Sequence, residues 1–79
     1  MKIKGELKQT IEKEIEDGYY QHSFSYFKIC EGHITEITIL DSYASIVIDG
    51  IFAQDKLLFA TQIPESIFAE QLNKFLQKI

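Results

Sequence analysis

Cys30 and His33 stand three residues apart, a spacing at which a thiolate and an imidazole can share a metal ion. A protein metal site needs three or four ligands at about 2.0–2.3 Å. The remaining candidates nearby are His22, Glu31, Glu36 and Asp41. His22 lies about 26 Å from Cys30 along an extended strand and joins only through a sharp fold-back. The pair therefore reads as a buried small cysteine and a surface histidine, and no metal is expected. Five serines, Ser23, Ser25, Ser42, Ser45 and Ser66, offer nucleophiles, but no G-x-S-x-G elbow surrounds any of them. Glu12, Glu14 and Glu16 could pair as acid and base, yet they fall on a helix expected to be exposed, where no burial raises a carboxyl pKa. No glycine pattern cradles a phosphate. No catalytic residue, no cofactor and no enzyme activity are expected.

Two other sets of residues point to binding. Tyr20, His22, Phe24 and Tyr26 recur at every second position, so a continuous strand would carry all four on one face. Such a row can wall a ligand pocket or stack on bases. Base stacking normally sits in a basic groove, and Lys28 is the only cation between Gly18 and Asp55. With eight Lys, no Arg, twelve acids and a net charge of −4, the chain is a poor match to nucleic acid.

The acids form the second set. From Ile29 to Asp55 there are five acids and no Lys. Glu14, Glu16 and Asp17 crowd what reads as a helix C-terminus, where each opposes the dipole by about 0.3–1 kcal/mol. Solubility explains acids of this kind. The sharper reading is that Glu14, Glu16, Asp17, Glu36 and Asp49 meet a basic surface on a partner protein, since acidic patches steer such encounters.

These residues must be positioned by a short chain. Seventy-nine residues make one domain, 1–79. The chain is 46% hydrophobic, with four Tyr and six Phe, which offsets the small core that such a length allows. A single cysteine excludes an internal disulfide. The N-terminal residues lack a signal-peptide run, and no stretch approaches the roughly 18 apolar residues of a membrane span. A cytoplasmic setting and no membrane partner are expected.

Ile3, Leu7, Ile11 and Ile15 recur every four residues and predict a helix from Ile3 to Asp17, closed by Gly18. Tyr19 to Cys30 reads as one aromatic strand, with a bulge near Ser25-Tyr26. Glu31-Gly32 reads as a tight turn, and Ile34 to Leu40 as its returning strand. Ala44 to Ala53 reads as a third strand. Its end divides between a turn at Asp49-Gly50 and one at Gln54-Asp55-Lys56; the second is preferred because it leaves Leu57 to Gln62 as a full fourth strand. From Pro64, the residues Ile67, Phe68, Leu72, Phe75, Leu76 and Ile79 form the apolar face of a second helix. The expected class is α+β: a four-stranded antiparallel sheet, in meander order, with an N-terminal and a C-terminal helix (αββββα).

That layout carries a functional expectation. Ile46 and Ile48 oppose Val47 and Ile51, so the sheet is apolar on both faces, and two short helices cannot cover both. A homo-oligomer or a protein partner is expected to cover the remainder. The leading expectation is a small acidic protein-binding module: a regulator, adaptor or inhibitor. Small acidic mobile-element proteins that block the basic surface of a partner have this charge and size. Two rivals are a homo-oligomer that binds a small molecule in an aromatic pocket, and a structural subunit of a larger assembly.

Overall fold

The computed structural model describes residues 1–6 and 10–78, apart from the side chains at 5, 6, 10 and 11. The N-terminal segment is a hairpin, not the expected helix: β1 (Lys2–Glu6) pairs antiparallel with β2 (Thr10–Glu14), Lys2 opposite Glu14. The physical reason lies in the spacing. Four residues turn a helix by about 400° and stay near one side, but any even spacing also keeps residues on one face of a strand. Isoleucine, branched at Cβ, favours the strand. Ile3 and Ile15 are both fully buried by this arrangement. Leu7 lies outside the described residues, as does the Ile11 side chain. The Met1 ammonium closes the hairpin by donating to the Ile15 carbonyl at 2.8 Å and to Glu14 at 3.0 Å.

The expected aromatic strand is two strands. β3 (Gly18–His22) and β4 (Ser25–Cys30) form a hairpin around Ser23-Phe24, with Ser23 at φ +54°. A bulge at Ser25-Tyr26 is not what bends the chain. Gly18 opens β3 rather than ending a helix. The turn at Glu31-Gly32 forms as expected, with φ of +51° and +80°, the left-handed values that a type I′ hairpin requires. It leads into β5 (His33–Leu40), and Asp41-Ser42 into β6 (Tyr43–Ile48).

β6 stops at Asp49, so the longer strand to Ala53 does not form. The Asp49 N–H donates to the Ile34 carbonyl at 2.7 Å. Its carboxylate Oδ1 then accepts the Ile34 N–H at 2.8 Å, in the place a strand carbonyl would occupy. The ladder is thus finished by a side chain while the backbone turns away at φ +53°. A short helix, α1 (Ala53–Leu57), replaces the expected turn and the start of the expected fourth strand. β7 is only Thr61–Ile63 and pairs with β3, not β6. The expected αββββα meander is therefore corrected to a five-stranded antiparallel sheet in order β6-β5-β4-β3-β7, with the separate two-stranded hairpin and a second helix, α2 (Glu65–Lys78).

Both sheet faces are partly covered. On one, Tyr20, Phe27, Ile29 and Ile34 pack against Ile3 and Ile15 of the hairpin and Ala53 and Leu57 of α1. On the other, Tyr19, Tyr26, Ile37 and Ile39 pack under Phe68, Leu72 and Phe75 of α2. The α2 face expected from sequence faces the sheet through these three residues, while Ile67 and Leu76 stay exposed and Ile79 lies outside the described residues. The hairpin supplies the second covering layer. β6, at the sheet edge, receives little from either layer.

Candidate functional site

Eleven large apolar side chains are exposed among the described residues, and six of them, Tyr43, Ile46, Val47, Ile48, Ile51 and Phe52, lie on β6 or in the turn after it. Strand alternation sends Tyr43, Ser45 and Val47 to the face that carries the hairpin, and Ala44, Ile46 and Ile48 to the face that carries α2. Ile51 and Phe52 are 86% and 66% exposed. Residues 50–52 fold back over β6, and Gly50 permits this: a Cβ there would lie 2.9 Å from Val47 Cγ1.

The fold-back makes an open groove of about 390 Å³ on the hairpin face. Tyr43, Val47, Ile51 and Phe52 wall it, and Glu36, Thr38 and Ser45 line its base beside Lys56. Glu36 is only 6% exposed. Its carboxylate accepts from Lys56 Nζ at 2.6 Å and from Ser25 Oγ at 2.7 Å. Thr38 Oγ1 lies 3.1 Å from the same serine oxygen. The charge of Glu36 is thus neutralised within the fold. Ser25 is buried beneath Glu36 and is not among the groove-lining residues, so its hydroxyl is not presented to a substrate. The groove offers shape, apolar wall and one ammonium, which suits binding.

The other candidate acids gather elsewhere. Asp17 Oδ2 accepts the Glu31 N–H at 3.2 Å, and Asp49 Oδ2 meets His33 Nδ1 at 2.9 Å. Asp17 and Asp49 therefore flank the Glu31-Gly32 turn from two sides, with Glu14 and Glu16 on the chain leading into Asp17. Asp49 joins this acidic end to the apolar edge, because it directly follows β6. Glu36 sits apart from the group, in the middle of the sheet.

The aromatic row is dispersed by the Ser23-Phe24 turn. Tyr20 enters the core, where its hydroxyl donates to the Glu16 carbonyl at 2.8 Å. Burial, followed by the charges of Glu16 and Asp17, raises its phenol above the ordinary range. Tyr26 packs on the opposite face beneath α2. Phe24 is exposed in the turn, and the His22 ring lies 6.4 Å from that of Phe59. The four do not converge on one pocket. Cys30 and His33 are cross-strand partners at the Glu31-Gly32 turn, both exposed, so the cysteine is not buried as expected: its alternate position in β4 turns it away from the core face of Phe27 and Ile29. Among the described residues no group of three His, Cys, Asp or Glu could hold a metal ion. No helix among them is long and apolar enough to cross a membrane.

Sequence reasoning missed Tyr43, Phe52 and Lys56, and placed Ile51 on a sheet face and not in the turn after β6. A signal existed: Asp49-Gly50 is a strong turn, and the apolar pair directly after it has no strand to belong to.

His33 and Asp49 give a pH prediction. The hydrogen bond that His33 donates to Asp49, and then the Asp49 charge, raise His33 above its ordinary 6.5. The Ile34 N–H, and then His33, hold Asp49 below its ordinary 3.8. The raised histidine contributes stability fully below 6.5 and loses it as pH rises through its folded value. The lowered aspartate contributes fully above 3.8 and loses it as pH falls through its folded value. The pair is strongest between those limits. A proton NMR titration of the His33 ring is expected to give a midpoint above 6.5, and Asp49→Asn is expected to lower it.

No protein-family model matches this chain, and no curated protein or solved structure matches it either.

Proposed function

We propose that this chain is a non-enzymatic protein-binding module, a small regulator, adaptor or inhibitor that works as a homo-oligomer in the cytoplasm. Its partner presents a basic surface beside apolar side chains. The observation that supports this most is the concentration of exposed apolar residues at 43–52, next to an acidic end. Exposed apolar clusters rimmed by polar groups mark interaction sites. The groove walls supply area to bury, and Glu16, Asp17, Glu31 and Asp49 supply the steering field. Glu36, committed to Lys56, serves the groove floor rather than the steering.

The test is capture of partners from the native host, with the wild-type chain and an Ile51→Ser/Phe52→Ser variant on parallel supports. The wild type is expected to retain a protein that the variant does not. Its association rate is expected to fall tenfold or more, as an order of magnitude, from low to high salt. Glu16→Lys/Asp17→Lys is expected to remove most of that salt dependence. Retention that neither salt nor either variant changes would overturn the reading.

A further inference from the structure

The two edges of the five-stranded sheet are built differently. β7 is three residues long and runs directly into Pro64, so it offers almost nothing to a further strand. β6 is six residues, Tyr-Ala-Ser-Ile-Val-Ile, with no charge and no proline. Natural edge strands normally carry a guard against pairing: a lysine, a proline, a bulge or a covering loop. β6 carries no lysine, proline or bulge along its length, and the fold-back at 50–52 lies against its hairpin face, beside Val47, and not along its outer backbone.

Its free backbone groups can be assigned. In an antiparallel pair only every second residue points its N–H and C=O at the neighbouring strand. The Asp49 N–H donates to Ile34, which fixes the phase. Tyr43, Ser45 and Val47 therefore bond to β5, while Ala44, Ile46 and Ile48 point theirs outward. No turn or loop backbone group among the described residues bonds to these three.

We propose that a second copy of this chain pairs antiparallel with β6, with Ile46 on the two-fold axis. This deepens the oligomer part of the reading above and stands independently of the basic partner. The sequence of β6 is self-complementary in this register. Ile48 falls opposite Ala44 of the second copy, and Val47 opposite Ser45, so a large side chain meets a small one each time. Every outward residue meets an outward residue, and all six outward groups of each copy are bonded. No acid opposes an acid: Asp49 falls opposite Tyr43. A foreign strand would need none of this symmetry. The two-fold axis stands perpendicular to the joined sheet, so the two hairpin faces lie on the same side. The Tyr43, Val47, Ile51 and Phe52 walls of both copies then border one trough across the axis, and the dimer doubles the groove.

The test introduces single cysteines into the full chain after Cys30→Ser, since Cys30 is exposed and would confound it. Ile46→Cys places two Cα atoms about 5.5 Å apart across the axis, within disulfide reach. Ala44→Cys and Ile48→Cys place their own copies about 13 Å apart, beyond it. Mild oxidation is expected to link Ile46→Cys chains and leave the other two at least tenfold less linked. Sedimentation equilibrium of the wild type is expected to give twice the 9.2 kDa chain mass. Ile46→Lys sets two ammonium groups against each other, a cost of several kcal/mol, and is expected to raise the dissociation constant about a hundredfold or more. Circular dichroism should remain unchanged, because the substituted residue bonds to no strand of its own chain. A wild type that stays monomeric, a dimer indifferent to Ile46→Lys, or linking at 44 or 48 in place of 46 would each overturn the proposal. Added salt separates the two readings. Two chains of charge −4 associate more tightly as salt rises, whereas a basic partner is released.

Discussion

Phe27→Ala is expected to lower the stability of this protein by about 3–5 kcal/mol, the usual cost of deleting a buried ring and leaving its cavity. Phe27 is fully buried at the centre of β4, with Tyr20 opposite on β3 and Glu36 opposite on β5. The hairpin residues Ile3 and Ile15 and the α1 residues Ala53 and Leu57 belong to the same cluster. Its loss removes the contact that the hairpin, the sheet and α1 share. At about 0.05–0.15 kcal/mol per residue, a chain of this length holds roughly 4–12 kcal/mol in total. The variant is expected to sit at the margin of folding, with a urea midpoint far below the wild type. Phe52→Ala is the informative comparison, because the same chemical change at an exposed site should cost less than about 0.5 kcal/mol. Equal losses at the two positions would mean that Phe52 is a folding residue and not a docking one.

Lys56→Ala is expected to cost about 1–3 kcal/mol, because it leaves the Glu36 carboxylate buried with Ser25 as its remaining donor. The ammonium itself is partly exposed, with a side chain 40% accessible, which keeps the loss below that of a fully buried pair. Adding Glu36→Met should restore much of the loss, since an apolar side chain of similar volume needs no partner. Chemical denaturation of the two single variants and the double variant checks this. A double variant less stable than either single would show that the carboxylate is held chiefly by Ser25.

The N-terminal segment shows how far pattern reading reaches in this chain. Ile3 and Ile15 are core residues in either reading, because a four-residue spacing puts them on one side of a helix and on one face of a strand. What differs is the partner strand, which no local spacing specifies. The Ser23-Phe24 turn was illegible for a related reason: it lacks the glycine or asparagine that usually marks a left-handed position, and Ser23 takes φ +54° without one. The Glu31-Gly32 turn and the α2 face were legible because glycine and a 3.6-residue period announce themselves locally. The excess of apolar residues on β6 was also legible. Its location at an edge was not, because edge position follows from strand order, and strand order depends on where β7 pairs. The Ser23-Phe24 turn scattered Tyr20, His22, Phe24 and Tyr26, and the pairing of β3 with β4 and of β6 with β5 drew Asp17 and Asp49 to one turn.

Pairing of the β6 edge with a second copy is the claim on which the oligomer rests, and amide hydrogen exchange at Ala44, Ile46 and Ile48 tests it most directly. These three N–H groups should exchange slowly in concentrated protein and far faster after hundredfold dilution, while those of Ser45 and Val47 change little. Fast exchange at all three positions, unaltered across that range, would contradict the account.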